Sequence, residues 1–175
     1  MKKLLVCLVG ALVTVAMSAQ TYVGGGLGFS SVDDKNIDSK ITTITISPEV
    51  GYKLSDKWSI GAKFDFEYAQ SDAADVTGFD VAPYARYNFF KVGAVTFFAD
   101  ATVEIGGLKA DGSDNMSAWA AGFEPGIIYE VNDKISLVAR AGLLGYSDTE
   151  DLNGQKGFQF ALNTMDLSFG MYWKF

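Results

Sequence analysis

The sequence predicts an all-β fold, namely an eight-stranded antiparallel up-and-down transmembrane β-barrel preceded by a cleavable signal peptide. Three observations support this prediction. Large apolar side chains alternate with polar or small ones over residues 165–175, which indicates a strand with one apolar face. Seven further segments follow a similar pattern, and the turns between them are alternately short and long. Beyond the N-terminal segment, no apolar run reaches the ~18 residues of a transmembrane helix.

Residues 1–19 are the predicted signal peptide, and residues 20–175 are the predicted barrel domain. Two lysines precede an apolar run that is too short to span a membrane, and small residues follow it next to the expected cleavage site. Cys7 is the only cysteine, and it lies too early in the chain for a lipoprotein attachment site. The predicted mature chain therefore contains no disulfide.

The charge of the chain is acidic. Its formal net charge is -7, and removal of Lys2 and Lys3 with the signal peptide changes this value to -9. This balance argues against a nucleic-acid partner, because phosphate backbones attract surfaces rich in Lys and Arg. The glycine-rich segment 24–28 invites comparison with phosphate-binding loops. Neither Lys-Ser/Thr nor a helix follows it, so we interpret it as a strand with small side chains.

The eight predicted strands are separated by three short turns and four long loops. Their bounds follow from the alternation of apolar and polar residues and from the polar segments between them. The predicted strands are 22–30, 41–54, 58–69, 77–91, 95–106, 118–130, 134–146 and 158–175. The predicted short turns are 55–57, 92–94 and 131–133, and the predicted long loops are 31–40, 70–77, 107–117 and 147–157.

Two features predict local irregularities in these strands. Three prolines lie inside strands, each four residues before an outward tyrosine, and we expect a bulge at each because proline removes a donor from the hydrogen-bond ladder. The proline–tyrosine pairs are Pro48–Tyr52, Pro83–Tyr87 and Pro125–Tyr129. Phe158 and Phe160 have the parity of the polar face of the last strand. This predicts a bulge near Asn163–Thr164 or a projection of these residues above the membrane.

The polar face of the strands contains ten charged residues, which we expect to form an interior charge network. They are Glu49, Lys63, Asp65, Glu67, Arg86, Asp100, Glu104, Glu124, Arg140 and Asp166. Counting outward from the short turns places three oppositely charged pairs on neighbouring strands, roughly 17–20 Å above the turn tips. The pairs are Glu49–Lys63, Arg86–Asp100 and Glu124–Arg140. Opposite charges are expected there because an unpaired buried charge is strongly unfavourable.

We interpret this network as the core of the barrel. Eight strands enclose a space that side chains can fill, so neither an open channel nor a substrate cleft is expected. Asp65 and Glu67 could suggest the paired carboxylates of a glycosidase, but interior packing explains two acids at alternate inward positions more simply.

Aromatic residues lie near both ends of the predicted strands, where amphipathic rings favour the membrane–water interface. The predicted aromatic girdle consists of Tyr52, Trp58, Tyr87, Trp119 and Tyr129. Trp119 belongs to the end with the long loops, and the other four belong to the end with the short turns.

The last residues also match a known pattern, in which a polar residue, a glycine, an apolar residue and a terminal aromatic follow at fixed spacing. These residues are Ser168, Gly170, Trp173 and Phe175. The pattern resembles the signal that the barrel-assembly machinery recognises in Gram-negative outer-membrane β-barrels, and the chain resembles the small eight-stranded barrels of the OmpA/OmpX type. The resemblance implies an integral outer-membrane protein with both termini in the periplasm, in contact with membrane lipid and lipopolysaccharide. Since the sequence ends at Phe175, no peptidoglycan-binding domain is expected.

The resemblance further implies a structural, surface-interaction or adhesive role without catalysis. The four long loops are acidic and are candidates for binding an extracellular partner or divalent cations, although a solvated surface explains the same composition. No loop has the spacing of a calcium-binding loop, and we expect no cofactor and no metal site. Related barrels that modify lipids or cleave peptides use a histidine, and this sequence contains none.

Two alternatives remain open at this point. A small porin-like channel for ions or small solutes would have the same strand pattern, and single-channel conductance would distinguish it. A soluble barrel of the lipocalin kind would have its apolar residues inside, because alternation alone does not say which face points inward. The signal peptide, the terminal aromatic residue and the aromatic girdle favour the membrane barrel.

Overall fold

In the computed structural model the chain forms a closed antiparallel β-barrel with eight strand positions, which confirms the predicted barrel fold. The predicted signal peptide, residues 1–19, lies outside the described residues. The structure describes residues 20–34, 39–70, 75–110, 116–149, 155–160 and 167–175. None of these residues belongs to a helix long and apolar enough to cross a membrane. The strand segments are β1 (Thr21–Asp34), β2 (Ser39–Lys53), β3 (Trp58–Gln70), β4 (Asp75–Val92), β5 (Val95–Ala110), β6 (Met116–Glu130), β7 (Ile135–Ala141), β8 (Leu144–Thr149), β9 (Gln155–Phe160) and β10 (Leu167–Lys174).

Neighbouring segments pair antiparallel in the order β5-β4-β3-β2-β1-β10-β7-β6-β8-β9, and β5 also pairs with β6. The β1–β10 and β5–β6 pairings close the sheet into a barrel. Both β7 and β8 pair with β6, so together they occupy the seventh position. Since β10 pairs with β7 and β9 pairs with β8, these two segments occupy the eighth. Closure satisfies backbone groups that an open sheet edge would expose to lipid.

The strands extend further than the sequence predicts, and the predicted long loops are too long. For example, β1 continues to Asp34 and β2 begins at Ser39, both within the predicted loop 31–40. Two strands can keep their backbone hydrogen bonds beyond the membrane whatever the polarity of their side chains. A run of polar residues therefore does not mark the end of a strand. The 18 residues of β4 correspond to roughly 45 Å along the barrel axis, against ~25 Å for the apolar band of a membrane barrel.

Side-chain caps and one glycine form the short turns. Ser55 Oγ accepts hydrogen bonds from two following backbone N–H groups at 3.3 and 3.1 Å. Asn132 Oδ1 does the same in the third turn, at 2.9 and 2.8 Å. The second turn is tighter, with Gly93 in the left-handed region at a φ of 58°. A bulge between Asn88 and Phe90 precedes this turn on β4, so the residue pairs farther from the turn keep the expected register.

The bulges expected at Pro48 and Pro83 are absent from the structure, which describes the residues around both prolines. The pairing of each strand with its neighbours has the same register before and after the proline, so no residue is inserted. Paired residues are absent at the proline on one side of the strand, and the pairing on the other side is continuous. The lost donor therefore opens the ladder locally without shifting it. At Pro125 the register does shift by one residue, but the extra residue lies on the facing strand at 142–143.

The interruption between β7 and β8 reverses the alternation of inward and outward residues. Gly142 lies in the left-handed region with a φ of 61°. Because of one extra residue, inward side chains have even numbers below the interruption and odd numbers above it. Arg140 below it and Ser147 above it are therefore both buried. Phe158 of β9 pairs with Tyr146, above the interruption. The bulge predicted at Asn163–Thr164 lies outside the described residues.

The two faces of the barrel wall have the polarity expected for a membrane barrel. Large apolar side chains on the outer face are exposed, as for Ile105, of which 60% is accessible. Charged side chains on the inner face are buried, and Arg86 and Asp100 are 1% and 0% exposed. This arrangement is the reverse of the lipocalin-like alternative. The apolar core is correspondingly small and consists of Tyr22, Phe98, Val138 and Tyr172.

Candidate functional site

The interior charge network lies in the lumen. Six of its residues are buried, namely Glu49, Lys63, Arg86, Asp100, Glu124 and Arg140. Asp65, Glu67 and Glu104 are partly buried. Asp166 lies outside the described residues.

A central plug closes the barrel between its two ends and consists of four charged and four aromatic side chains. It comprises Glu49, Arg86, Asp100, Arg140, Tyr22, Tyr84, Phe98 and Tyr172. Arg86 donates from Nε and Nη2 to the two carboxylate oxygens of Asp100, at 2.7 and 2.8 Å. Arg140 donates from Nη2 to both oxygens of Glu49, at 2.9 and 2.8 Å. Each arginine also lies near the other carboxylate, at 3.3 Å for Arg140–Asp100 and 3.5 Å for Arg86–Glu49. The charges balance, as buried ions require.

The aromatic residues satisfy and enclose these ions. Tyr84 and Tyr172 donate to Glu49 Oε1 at 2.5 and 2.8 Å. The hydroxyl of Tyr172 also accepts from Nη2 of both arginines, at 3.0 and 2.7 Å. The guanidinium carbon of Arg86 lies 4.0 Å from the centre of the Phe98 ring, a cation–π geometry.

Each inward aromatic ring lies across a glycine on the neighbouring strand. The directly opposed pairs are Tyr22–Gly51, Tyr84–Gly61, Phe98–Gly126 and Tyr172–Gly24. A Cβ at any of these glycines would overlap the ring or hydroxyl that it faces. The aromatic members of the plug are not among the residues predicted from the sequence. Their inward parity, together with a glycine opposite each one, is the signal that identifies them.

The structure rearranges two of the three predicted charge pairs. Arg86 and Asp100 are opposed in register and form an ion pair. Glu49 and Lys63 are also opposed in register, but their charged groups bind other residues. Glu49 binds Arg140 across the lumen. Long side chains reach across an eight-stranded lumen, so a partner on another wall competes with the neighbour in the sheet.

The prediction that Glu124 faces Arg140 is wrong by two residues. Arg140 lies opposite Gly126, because the turn is centred on Asp133 and not on Asn132 as counted from the sequence. Glu124 instead contacts Lys63, with which it forms an ion pair and a hydrogen bond. Lys63 also lies 3.7 Å from Glu104, so one lysine serves two carboxylates from the other side of the lumen.

The central plug separates two vestibules. The long-loop vestibule is a cavity of about 610 Å³. Its charged lining residues are Glu49, Lys63, Asp65, Glu104, Glu124 and Arg140. The short-turn vestibule is a cavity of about 550 Å³. Its charged lining residues are Lys53, Asp56, Lys57, Arg86, Lys91, Glu130 and Lys174. No group of three or more His, Cys, Asp or Glu side chains within the described ranges is arranged to hold a metal ion.

The aromatic girdle lies on the outer face. Tyr52, Trp58, Trp119 and Tyr129 are exposed. Tyr87 is half-buried and packs on Trp58, with ring centres 4.8 Å apart. Such pairs on a lipid-facing wall are typical of the interface regions of membrane barrels.

The residues of the C-terminal pattern lie on β10 and at its end, where this segment closes the barrel against β1. Trp173 and Phe175 are exposed, as expected for lipid-facing side chains. A Cβ at Gly170 would lie 2.7 Å from the carbonyl oxygen of Gly25, so the closing seam needs a glycine there. Ser168 lies opposite Arg140 in the sheet and lines the long-loop vestibule.

Comparison with known proteins agrees with this geometry. The chain matches the family model for the outer membrane protein beta-barrel domain over residues 4–175. It is similar in structure to Neisserial surface protein A, with 16% sequence identity and a TM-score of 0.58, over 90% of this chain and 98% of that one. It is also similar to the outer membrane protein OprG from Pseudomonas aeruginosa, with 13% identity and a TM-score of 0.49, over 89% of this chain and 96% of that one. No curated protein matches the sequence. Because the family model spans almost the whole chain, the protein belongs to the outer-membrane β-barrel family.

Proposed function

We propose that the protein is a non-catalytic outer-membrane barrel that is closed to solutes and contacts its partners through the long-loop end. The central plug is the observation that supports this proposal. Arg86, Phe98 and Asp100 are at most 1% exposed, and hydrogen bonds from several strands hold the two charged residues in place. Opening a path through them would require buried ion pairs to separate, which is strongly unfavourable.

Planar-bilayer recording tests the closed lumen. The wild-type protein should show no stable unit openings, whereas Arg86→Ala/Phe98→Ala, which removes two large side chains from the plug, should show them. Val103→Ala, on the outer face of the same β5, is the matched control and should remain silent. Stable openings of the wild-type protein at low voltage would contradict the proposal.

A small porin-like channel is the second candidate. The two vestibules favour it, because they bring solvent-sized space to the plug from both sides. This candidate requires the plug to rearrange as a unit. Stable wild-type openings that become more frequent in Arg140→Met but not in Val103→Ala would support it over a closed barrel.

The proposed surface role depends on the charge of the long loops. Acidic residues outnumber lysines in these loops and in the strand ends beside them: Asp33, Asp34, Asp38, Asp72, Asp75, Asp111, Asp114, Asp148, Glu150 and Asp151 stand against Lys35, Lys40, Lys109 and Lys156. We propose that these loops bind a basic extracellular partner. Deleting the central residues of one loop at a time should abolish binding to target surfaces for at least one loop while the barrel still assembles. Unchanged binding by all four deletions would leave only a structural role.

We also propose that both chain ends lie in the periplasm and that residues 168–175 are recognised by the barrel-assembly machinery. Backbone hydrogen bonds attach Gln20 and Lys174 to residues beside the short turns, at 2.8 and 2.7 Å, and short turns face the periplasm in outer-membrane barrels. An epitope placed between the predicted signal peptide and Gln20 should be inaccessible on intact cells, whereas one inserted at 111–115 should be accessible. Phe175→Ala should lower the amount of assembled barrel in cells without preventing refolding of the purified chain.

A further inference from the structure

The short-turn vestibule has a charge opposite to that of the rest of the molecule. Four lysines at its mouth and Arg86 at its base face two carboxylates, an excess of three positive charges. In the long-loop vestibule, four carboxylates face one lysine and one arginine, an excess of two negative charges. A chain with a net charge of -7 therefore concentrates positive charge in this cavity. Low-dielectric walls strengthen the attraction of such a cavity for anions.

The lysines of this mouth are incompletely neutralised. Glu130 is shared by two of them, at 2.5 Å from Lys91 and 3.3 Å from Lys174. Lys53 binds the exposed Asp56 at 2.8 Å. Lys57 forms no ion pair with any residue that the structure describes. One carboxylate between two ammonium groups leaves donor capacity on both, because each ammonium offers three donors.

A buried hydroxyl without a partner lines the same cavity. Ser136 is 1% exposed, and its Oγ forms no hydrogen bond within the described part of the chain. The register places Ser136 between Glu130 of β6 and Tyr172 of β10, one inward position from Lys174. Buried polar groups in folded proteins are nearly always hydrogen-bonded. An acceptor oxygen entering the vestibule would satisfy this hydroxyl.

We propose that the short-turn vestibule is a binding site for a phosphate group. The ammonium groups of Lys91 and Lys174 provide the charge, and Ser136 donates a hydrogen bond to one phosphate oxygen deeper in the cavity. A volume of about 550 Å³ admits a phosphate together with an attached group. Glu130 competes with the ligand for the two lysines, so the site is tuned to weak, reversible binding. The phosphate could come from solution or from the headgroup of an anionic phospholipid, since the mouth lies at the membrane surface.

Binding of inorganic phosphate to the full-length barrel in a neutral detergent tests the proposal, with phosphorus NMR line broadening as the signal. Lys174→Gln should weaken binding roughly tenfold, the loss expected for one charge-assisted hydrogen bond. Ser136→Ala should weaken it by a smaller factor. Glu130→Gln should strengthen it severalfold, because it frees both lysines. Lys134→Gln is the matched control: Lys134 lies in a short turn but does not line the cavity, so binding should change less than about twofold. The heat-dependent gel mobility of each variant shows that the barrel is intact.

The two sources of phosphate are distinguished in lipid nanodiscs. If an anionic headgroup fills the site, phosphatidylglycerol should weaken the binding of inorganic phosphate relative to phosphatidylcholine, and Lys174→Gln should remove this difference. Equal affinity in both lipids would identify soluble phosphate as the ligand. The proposal is overturned if Lys134→Gln weakens binding as much as Lys174→Gln, or if Glu130→Gln does not strengthen it. Either result would mean a general attraction of anions to the lysine-rich rim.

Discussion

Replacing one arginine of the central plug should destabilise the barrel strongly. Arg86→Met removes two hydrogen bonds to Asp100, at 2.7 and 2.8 Å, and one to Tyr172 at 3.0 Å. Within the described part of the chain, Asp100, which is 0% exposed, then keeps only the 3.3 Å hydrogen bond from Arg140. Removing one partner of a buried ion pair typically costs about 3–5 kcal/mol. We expect the free energy of unfolding to fall by an amount in this range.

A second substitution separates charge balance from lost packing. In Arg86→Met/Asp100→Asn, the remaining pair of Glu49 and Arg140 leaves the plug neutral again. We therefore expect the double variant to be more stable than Arg86→Met alone by about 1–2 kcal/mol, a strongly non-additive result. Asp100→Asn alone should be destabilised as well, since it leaves Arg86 with an unbalanced buried charge.

Urea-dependent unfolding from phospholipid vesicles, followed by tryptophan fluorescence, measures these differences. Trp58, Trp119 and Trp173 all lie exposed on the outer wall, so their emission changes when the wall leaves the lipid. The reasoning is refuted if Arg86→Met costs less than about 1 kcal/mol, or if the effects of the two substitutions simply add.

Two further predictions concern the glycines that face inward aromatic rings and the first short turn. Gly61→Val should lower the free energy of unfolding by about 2–3 kcal/mol, because a Cβ there overlaps the hydroxyl of Tyr84 and displaces it from Glu49. Gly157→Ala is the control, because a Cβ there meets nothing within 4 Å, and it should change the free energy of unfolding by less than about 0.5 kcal/mol. Equal losses for both variants would show that the Tyr84 ring does not require a glycine at position 61. The hydrogen bond from Lys53 lowers the pKa of Asp56 below its ordinary value of 3.8, so this contact stabilises the turn above that pH and the contribution is lost as the pH falls through the lowered pKa. An NMR titration should show the pKa of Asp56 rising towards 3.8 in Lys53→Gln, and an unchanged pKa would exclude Lys53 as the cause.

The wall of the barrel could be predicted from the sequence because strand alternation and turns are local properties. Alternating residues define which side chains face inward, and the distance from a turn defines which residues are opposed. The register predicted in this way is correct for Arg86–Asp100. A turn of two residues and a bulge of one residue on β4 together replace the expected turn of three residues. It failed for Arg140 because the third turn is centred one residue later than assumed. The capping residues Ser55 and Asn132 occupy equivalent places in their turns, and aligning them would have given the correct centre.

The contacts inside the lumen could not be predicted in the same way. The pairing of Arg140 with Glu49, and of Lys63 with Glu124, joins residues that are distant in sequence and lie on walls that do not adjoin. Such partners depend on closure of the barrel and on the stagger between strands, which no single hairpin defines. The inward aromatic residues are missing for a different reason: the predicted interior network contains charged residues alone, although Tyr84 has the same parity as Arg86.

The prolines illustrate a third limit. Sequence reasoning treats a missing donor as a reason for a bulge, yet Pro48 and Pro83 leave the register intact. A continuous ladder on the other side of each strand holds the chain in place, so losing one hydrogen bond is cheaper than shifting every side chain beyond it to the opposite face. The extra residue appears instead at Gly142, where a left-handed conformation is available.

The central claim is that lipid surrounds an apolar outer wall while a charged plug and two vestibules occupy the interior. Nitroxide labels at four positions of β5 test it directly, after Cys7→Ser and reconstitution into vesicles. Phe97 and Ile105 lie on the exposed outer face, whereas Thr96 and Glu104 line the two vestibules. Labels at 97 and 105 should be accessible to oxygen dissolved in the lipid, and labels at 96 and 104 to a water-soluble nickel complex. The same accessibility at all four positions, or the reverse alternation, would contradict the account.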